Sequence, residues 1–234
     1  MTEKPKTTAS AKPEVKKVDI DFIVDAEREK AKARAMRRID KGRSVLFYGN
    51  YGVGKSAMLA HLVTELKKER NVVEVRPLGG VCQLLAEMCG VMDAEYWNKS
   101  KYLQTLCDHP RIIVIDEAQH LKHEIFPYLK IIMEAGNIVI FGGLTELIDK
   151  MKARHPDILS RMMRLEVLPI KFDDLKAEVN KVGMPQFDDD ALQIIYSGES
   201  MRVWVEVIEN CRAYAFENGL KTIDYNIVEK FFED

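Results

Sequence analysis

Residues 49–56 read Gly-Asn-Tyr-Gly-Val-Gly-Lys-Ser, which sets Gly49, Gly54, Lys55 and Ser56 at the spacing of a phosphate-binding loop. Glycines let successive backbone N–H groups turn inward around a β-phosphate, and a helix beginning at the lysine adds the partial positive charge of its N-terminus. In such a loop Lys55 reaches the β- and γ-phosphates, Ser56 offers its hydroxyl to Mg²⁺, and Asn50, Tyr51, Gly52, Val53 and Ala57 complete the cradle. The chemistry implied is the binding of ATP with Mg²⁺.

A second group of residues supplies what hydrolysis would need. The apolar run Arg111-Ile112-Ile113-Val114-Ile115 ends in Asp116-Glu117-Ala118-Gln119-His120, the pattern of a Walker B strand. Asp116 is placed to hold Mg²⁺, directly or through water, and Glu117 to orient and deprotonate the attacking water.

These residues must be carried by particular elements. Ser44–Tyr48 reads as a buried strand before the loop, and Ala57–Val63 carries helical periodicity after it. Strand two is expected at Asn71–Arg76, helices at Val81–Met88 (ending near Gly90) and at 93–108, and a helix at Phe126–Glu134. A further buried strand, Asn137–Phe141, closes with Gly142-Gly143-Leu144-Thr145-Glu146. Strands alternating with helices at this spacing imply a three-layer parallel α/β sheet, with ligands at the carboxyl ends of its strands.

After about Pro169 only helical segments follow: Phe172–Val182, Asp188–Tyr196, Met201–Asn218 and Asp224–Phe232, with Asp188 and Ser200 as caps. The expected fold is an α/β P-loop NTPase of the ASCE, AAA+ type. Its parts are a disordered basic tail at 1–24, a nucleotide-binding core at 25–169 and a small all-α lid at 170–234.

Composition narrows the classes further. The 234 residues are 47% hydrophobic with a formal net charge of −2, enough for a sizeable core and without a global field for nucleic acid. No stretch is apolar and long enough to span a membrane, and no secretory signal opens the chain, so the expected place is the cytoplasm. Cys82, Cys89, Cys107 and Cys211 lack Cys-x-x-Cys pairing and read as buried free thiols. His120 and His123 have a helical metal-like spacing with no further ligand cluster beside them. Basic charge is local: Arg28, Lys30, Lys32, Arg34, Arg37 and Arg38 crowd one helix, read either as a solvated helix covering the sheet edge or as contacts to nucleic-acid phosphates.

Four segments together, Gly49–Ser56, the run Ile115-Asp116-Glu117-Ala118 with His120-Leu121, Leu159-Ser160-Arg161 and Met201-Arg202-Val203, resemble the phage Mu B protein and its TnsC/TniB relatives, ATPases of DNA transposition. The resemblance runs in the same order over about residues 42–233. It implies that Arg161 is an arginine finger reaching a neighbouring subunit's γ-phosphate and that Arg202 is the sensor-2 arginine of the lid. It also implies ATP-dependent assembly of a homo-oligomeric ring or helical filament on double-stranded DNA, without sequence preference, and regulation of a transposase. The polar sensor-1 residue of that pattern falls at Leu144, with Thr145 as a substitute one residue on. The helix-turn-helix of Mu B has no counterpart in the sequence, so DNA contacts are expected from the core, with Lys99, Lys101 and Lys122 as candidates, or from the basic N-terminal segment. A replication helicase loader or initiator of the same clade, and a STAND-like nucleotide-dependent signalling switch, share the ATP site and differ in partner.

Overall fold

Short runs rich in valine and isoleucine build β-strands at 72–75, 112–115 and 138–140, and the segments between the strands of this protein coil into helices that cover both faces. The computed structural model describes residues 25–91, 98–181, 184–198 and 200–232. The expected basic tail at 1–24 and the start of the helix expected at 93–108 lie outside the described residues.

In chain order the elements are α1 (Ala26–Asp40), β1 (Val45–Gly49), α2 (Lys55–Leu66), β2 (Val72–Val75), α3 (Val81–Met88), α4 (Lys99–Asp108) and β3 (Ile112–Ile115). They continue with α5 (Phe126–Glu134), β4 (Ile138–Leu144), α6 (Thr145–Arg154), α7 (Pro156–Arg161), β5 (Met163–Glu166) and α8 (Phe172–Val179). The chain closes with β6 (Gln186–Phe187), α9 (Asp189–Ser197), α10 (Met201–Glu217), β7 (Thr222–Ile223) and α11 (Tyr225–Glu229). None of the described helices is long and apolar enough to cross a membrane.

Five strands form one parallel sheet in the order β2-β3-β4-β1-β5. Side chains alternate across it, as the pleat requires. Leu46, Ile113, Ile115, Val139 and Phe141 face one core with α3 to α7, while Val45, Phe47, Ile112, Val114 and Ile140 face another with α1 and α2. This is the expected three-layer architecture. The register pairs Gly49 with Leu144, and Ile115 with Phe141, so the carboxyl ends of β1, β3 and β4 lie side by side at one rim.

Helices α8 to α11 bury a third cluster around Leu175, Leu192, Trp204 and Ile208. Asp188 caps α9 by accepting from Ala191 N at 2.7 Å, and Ser200 caps α10 by accepting from Val203 N at 3.5 Å. The all-α expectation is corrected here, because β6 and β7 pair in a two-residue parallel ribbon. Asn180 clamps β6 by donating to Phe187 O and accepting from Phe187 N, which also stops α8 three residues short of the expected Val182.

Besides β6 and β7, three elements have no counterpart in the sequence analysis: α6, α7 and β5. Edge strand β5 buries only Leu165 fully and exposes Arg164 and Glu166, so its mark in the sequence is the short apolar/polar alternation Met163-Arg164-Leu165-Glu166 and not an apolar run. Strand β4 also continues through Gly142, Gly143 and Leu144, where the glycines had read as the end of the strand. Helix α1 lies against β5, β1 and α2, as the covering-helix reading expected, but Arg28 is buried and is no surface cation.

Candidate active site

The phosphate-loop residues hang between β1 and α2, held by contacts that demand glycine. A Cβ on Gly49 would sit 2.5 Å from Val167 O, and one on Gly54 would sit 2.8 Å from Met201 Sδ. Gly52 and Gly54 have φ of 74° and 87°, the left-handed region that glycine tolerates. Lys55 opens α2 and is only 5% exposed. Its Nζ donates to Asn50 O at 2.7 Å. Burial lowers the Lys55 pKa, while Glu117 and Asp116 pull it back up. The two carboxylates help keep this partly desolvated ammonium protonated, the form that an anionic ligand needs.

Across the rim, Asp116 and Glu117 leave the end of β3 in a tight turn. Glu117 has φ 52°, the one non-glycine residue with positive φ among those described, and its N–H donates to Asp116 Oδ1 at 2.9 Å. Gly142 on β4 clears space for Asp116, since a Cβ there would lie 2.5 Å from Oδ1. Ser56, Asp116 and Glu117 line one cavity of about 500 Å³ together with Arg76 from the end of β2. A serine hydroxyl beside a carboxylate is an oxygen donor set that suits Mg²⁺.

A second cavity, about 690 Å³, joins the core to the C-terminal helices. Gly54, Lys55, Ser56, Ala57 and Glu117 line one side, and Met201, Arg202 and Glu206 line the other. The two sides are tied directly, as Met201 N donates to Gly52 O at 3.1 Å. A smaller, more apolar cavity of about 210 Å³ lies between Asn50–Val53, Pro169, Ile170 and Trp204, with Tyr51 bordering both. Tyr51 is 82% exposed.

Other expected residues fall elsewhere. Thr145 is exposed at the first turn of α6 and is not among the residues lining these cavities. Arg161 ends α7 on the surface, where it donates to Glu134 Oε1 at 2.9 Å. Lys99 rests with its Nζ 5.8 Å from the Tyr128 ring centre, whereas Lys101 and Lys122 are exposed. His123 lies 3.4 Å from His155 and meets the Arg154 guanidinium at 2.5 Å. Cys82 and Cys211 are buried and outside any disulfide, as expected, but Cys89 and Cys107 are half-exposed.

Two residues at the site escaped the sequence reading. Arg28 donates to Val53 O at 2.6 Å and to Leu168 O at 3.0 Å, linking α1 to the loop and to the segment before α8. Nothing in the spacing separates it from its basic neighbours; only Asp25 three residues earlier, which caps α1 at Arg28 N, hints at its distinct place. Gln119 bridges Glu117 and β4, a contact that no local pattern announces.

Residues 37–151 match an AAA domain family model. Outside that AAA domain match, no curated protein matches the chain. Among solved structures, domain III of the Thermotoga maritima replication initiation protein DnaA superposes with a TM-score of 0.65 at 17% identity, covering 92% of this chain and 94% of that one. The Aeropyrum pernix ORC2 protein in its ADPNP-ADP complexes gives 0.65 at 14% identity, with 89% and 67% covered. The ORC1 protein of the same organism, in complex with DNA, gives 0.64 at 16%, with 92% and 67% covered. With the strand order, these likenesses establish the fold as that of a P-loop AAA+ NTPase.

Proposed function

We propose that this protein is an ATP-hydrolysing AAA+ switch that assembles on duplex DNA and regulates target selection and transposase activity in transposition. The observation that carries the ATPase part is the cavity where Lys55, Ser56 and Glu117 of the core face Arg202 of α10. Backbone N–H groups of the loop and Lys55 bind the phosphates, while the apolar cavity bounded by Val53, Ile170 and Trp204 accepts the base. Ser56 and Asp116, which line one cavity, would hold Mg²⁺, and the ion would neutralise charge on the phosphoryl oxygens. Glu117 accepts the proton of the attacking water. Arg202 brings a guanidinium to the same phosphates from the C-terminal helices, the lid. Arg161 is exposed and lines none of the three cavities described above, which fits a finger acting in trans. Hydrolysis then depends on assembly.

The transposition role rests on the resemblance to the Mu B group. A replication initiator or helicase loader is a second reading, favoured by the likeness to initiator folds, one of them in complex with DNA. Binding to a long random-sequence duplex with ATP, ADP or no nucleotide, over a salt series, tests the proposal. ATP-dependent, salt-sensitive protection spread evenly along the duplex supports target selection, and protection at discrete sites supports an initiator. Absence of binding in every nucleotide state rejects the DNA role and leaves the ATPase to be judged by turnover alone.

A further inference from the structure

We propose that Gln119 is a positioning residue that sets the Glu117 carboxylate by bridging it to the end of β4; this rests on Glu117 serving as the base in the reading above. The side chain has a polar contact at each end. Its Nε2 donates to Glu117 Oε2, and its Oε1 accepts from Leu144 N at 3.2 Å. A carboxylate only accepts and a backbone N–H only donates, so both partners dictate the same orientation of the amide. The short 3₁₀ turn at Ala118–His120 brings Gln119 back toward the strand ends.

The surrounding backbone leaves room for this bridge. A Cβ on Gly143 would lie 3.2 Å from Gln119 Oε1 and 2.6 Å from Leu147 Cδ2. Glu117 itself sits at φ 52°, a conformation of a non-glycine residue that persists where neighbours over-determine it. Here its N–H is held by Asp116 Oδ1 and its carboxylate by Gln119. At the end of β4, where the family pattern expects a polar side chain, Leu144 contributes only its backbone N–H to this network and Thr145 faces solvent. Gln119 thus connects β4 to the base from the end of the neighbouring strand, β3.

Two substitutions separate the parts of the bridge. Gln119→Met keeps length and packing but deletes both polar contacts; Gln119→Glu keeps an acceptor for Leu144 N and deletes the donor to Glu117. Steady-state hydrolysis and binding of a fluorescent ATP analogue are measured for each, and both are repeated in a Glu117→Gln background. Loss of a hydrogen bond to a charged group predicts a drop in kcat of roughly tenfold or more for both variants, with nucleotide affinity within about twofold of the parent. In the Glu117→Gln background the same changes should have little further effect, because a residue acting through Glu117 has nothing left to position. Parental kcat in either variant, a fall in affinity matching the fall in kcat, or an undiminished loss in the double variants would overturn the assignment. A parent protein that binds no ATP would instead reject the nucleotide reading itself. Thermal melting of each variant guards against unfolding, and Gln119→Glu carries the test if Gln119→Met does not fold.

Discussion

Glu117 combines a left-handed backbone with a carboxylate that shares a cavity with Lys55 and Ser56. Glu117→Gln keeps its size and removes the proposed base. Such a change should leave ATP binding intact while reducing turnover by roughly two to four orders of magnitude, so that ATP-bound protein accumulates; single-turnover hydrolysis of labelled ATP reads this directly. Cys211 illustrates the opposite case, a reactive group rendered inert. Burial pushes its thiol from 9.0 to about 12. The folded protein therefore keeps that proton where the unfolded chain loses it, and this contribution to stability declines as pH rises from about 9 towards 12. Iodoacetamide at pH 8.5 should label Cys211 only after denaturant is added, and mass spectrometry of labelled peptides will show whether it does.

At the scale of elements, tight backbone approaches between strands and helices matter as much as side-chain chemistry. Gly142→Ala should push a methyl into Asp116 Oδ1 and Leu59 Cδ1, 2.5 and 2.4 Å from the Cβ position. A loss of about 1–3 kcal/mol in stability and a higher Mg²⁺ requirement for hydrolysis are expected, checked by denaturant titration and by an Mg²⁺ series. The element scale also shows what the sequence made legible. Strands β1, β3 and β4 are short apolar runs with both faces covered, and their composition alone announces them. Strand β5 stands at the edge, half exposed, and only a four-residue alternation of apolar and charged residues marks it. Residues of the loop and of Walker B are legible because phosphate chemistry constrains spacing along the chain. Arg28 and Gln119 are not, because their partners Leu168 and Leu144 lie 140 and 25 residues away.

For the whole molecule, the proposed finger role of Arg161 would link chemistry to assembly. The guanidinium is 44% exposed and paired with Glu134, a surface contact of small energetic weight that a neighbouring phosphate can displace. Arg161→Ala should leave nucleotide affinity nearly unchanged yet lower hydrolysis in the assembly by roughly a thousandfold. It should also erase the dependence of specific activity on protein concentration, which turnover measured across a dilution series will test. An Arg161→Ala protein that still hydrolyses faster as it is concentrated would assign the finger to another residue.

The junction between α10 and the loop has one more property. Met201 N donates to Gly52 O, so the link is written in main-chain atoms. No amino-acid substitution short of proline removes that donor, and an alanine scan of both elements would pass over it without a signal. Changes of side chain can accumulate on either side while this link persists. An amide-to-ester replacement at Met201 deletes the N–H while keeping the side chain, though it also weakens the Ser200 carbonyl that accepts from Trp204 N, and makes this contact a target for chemical synthesis instead of genetics.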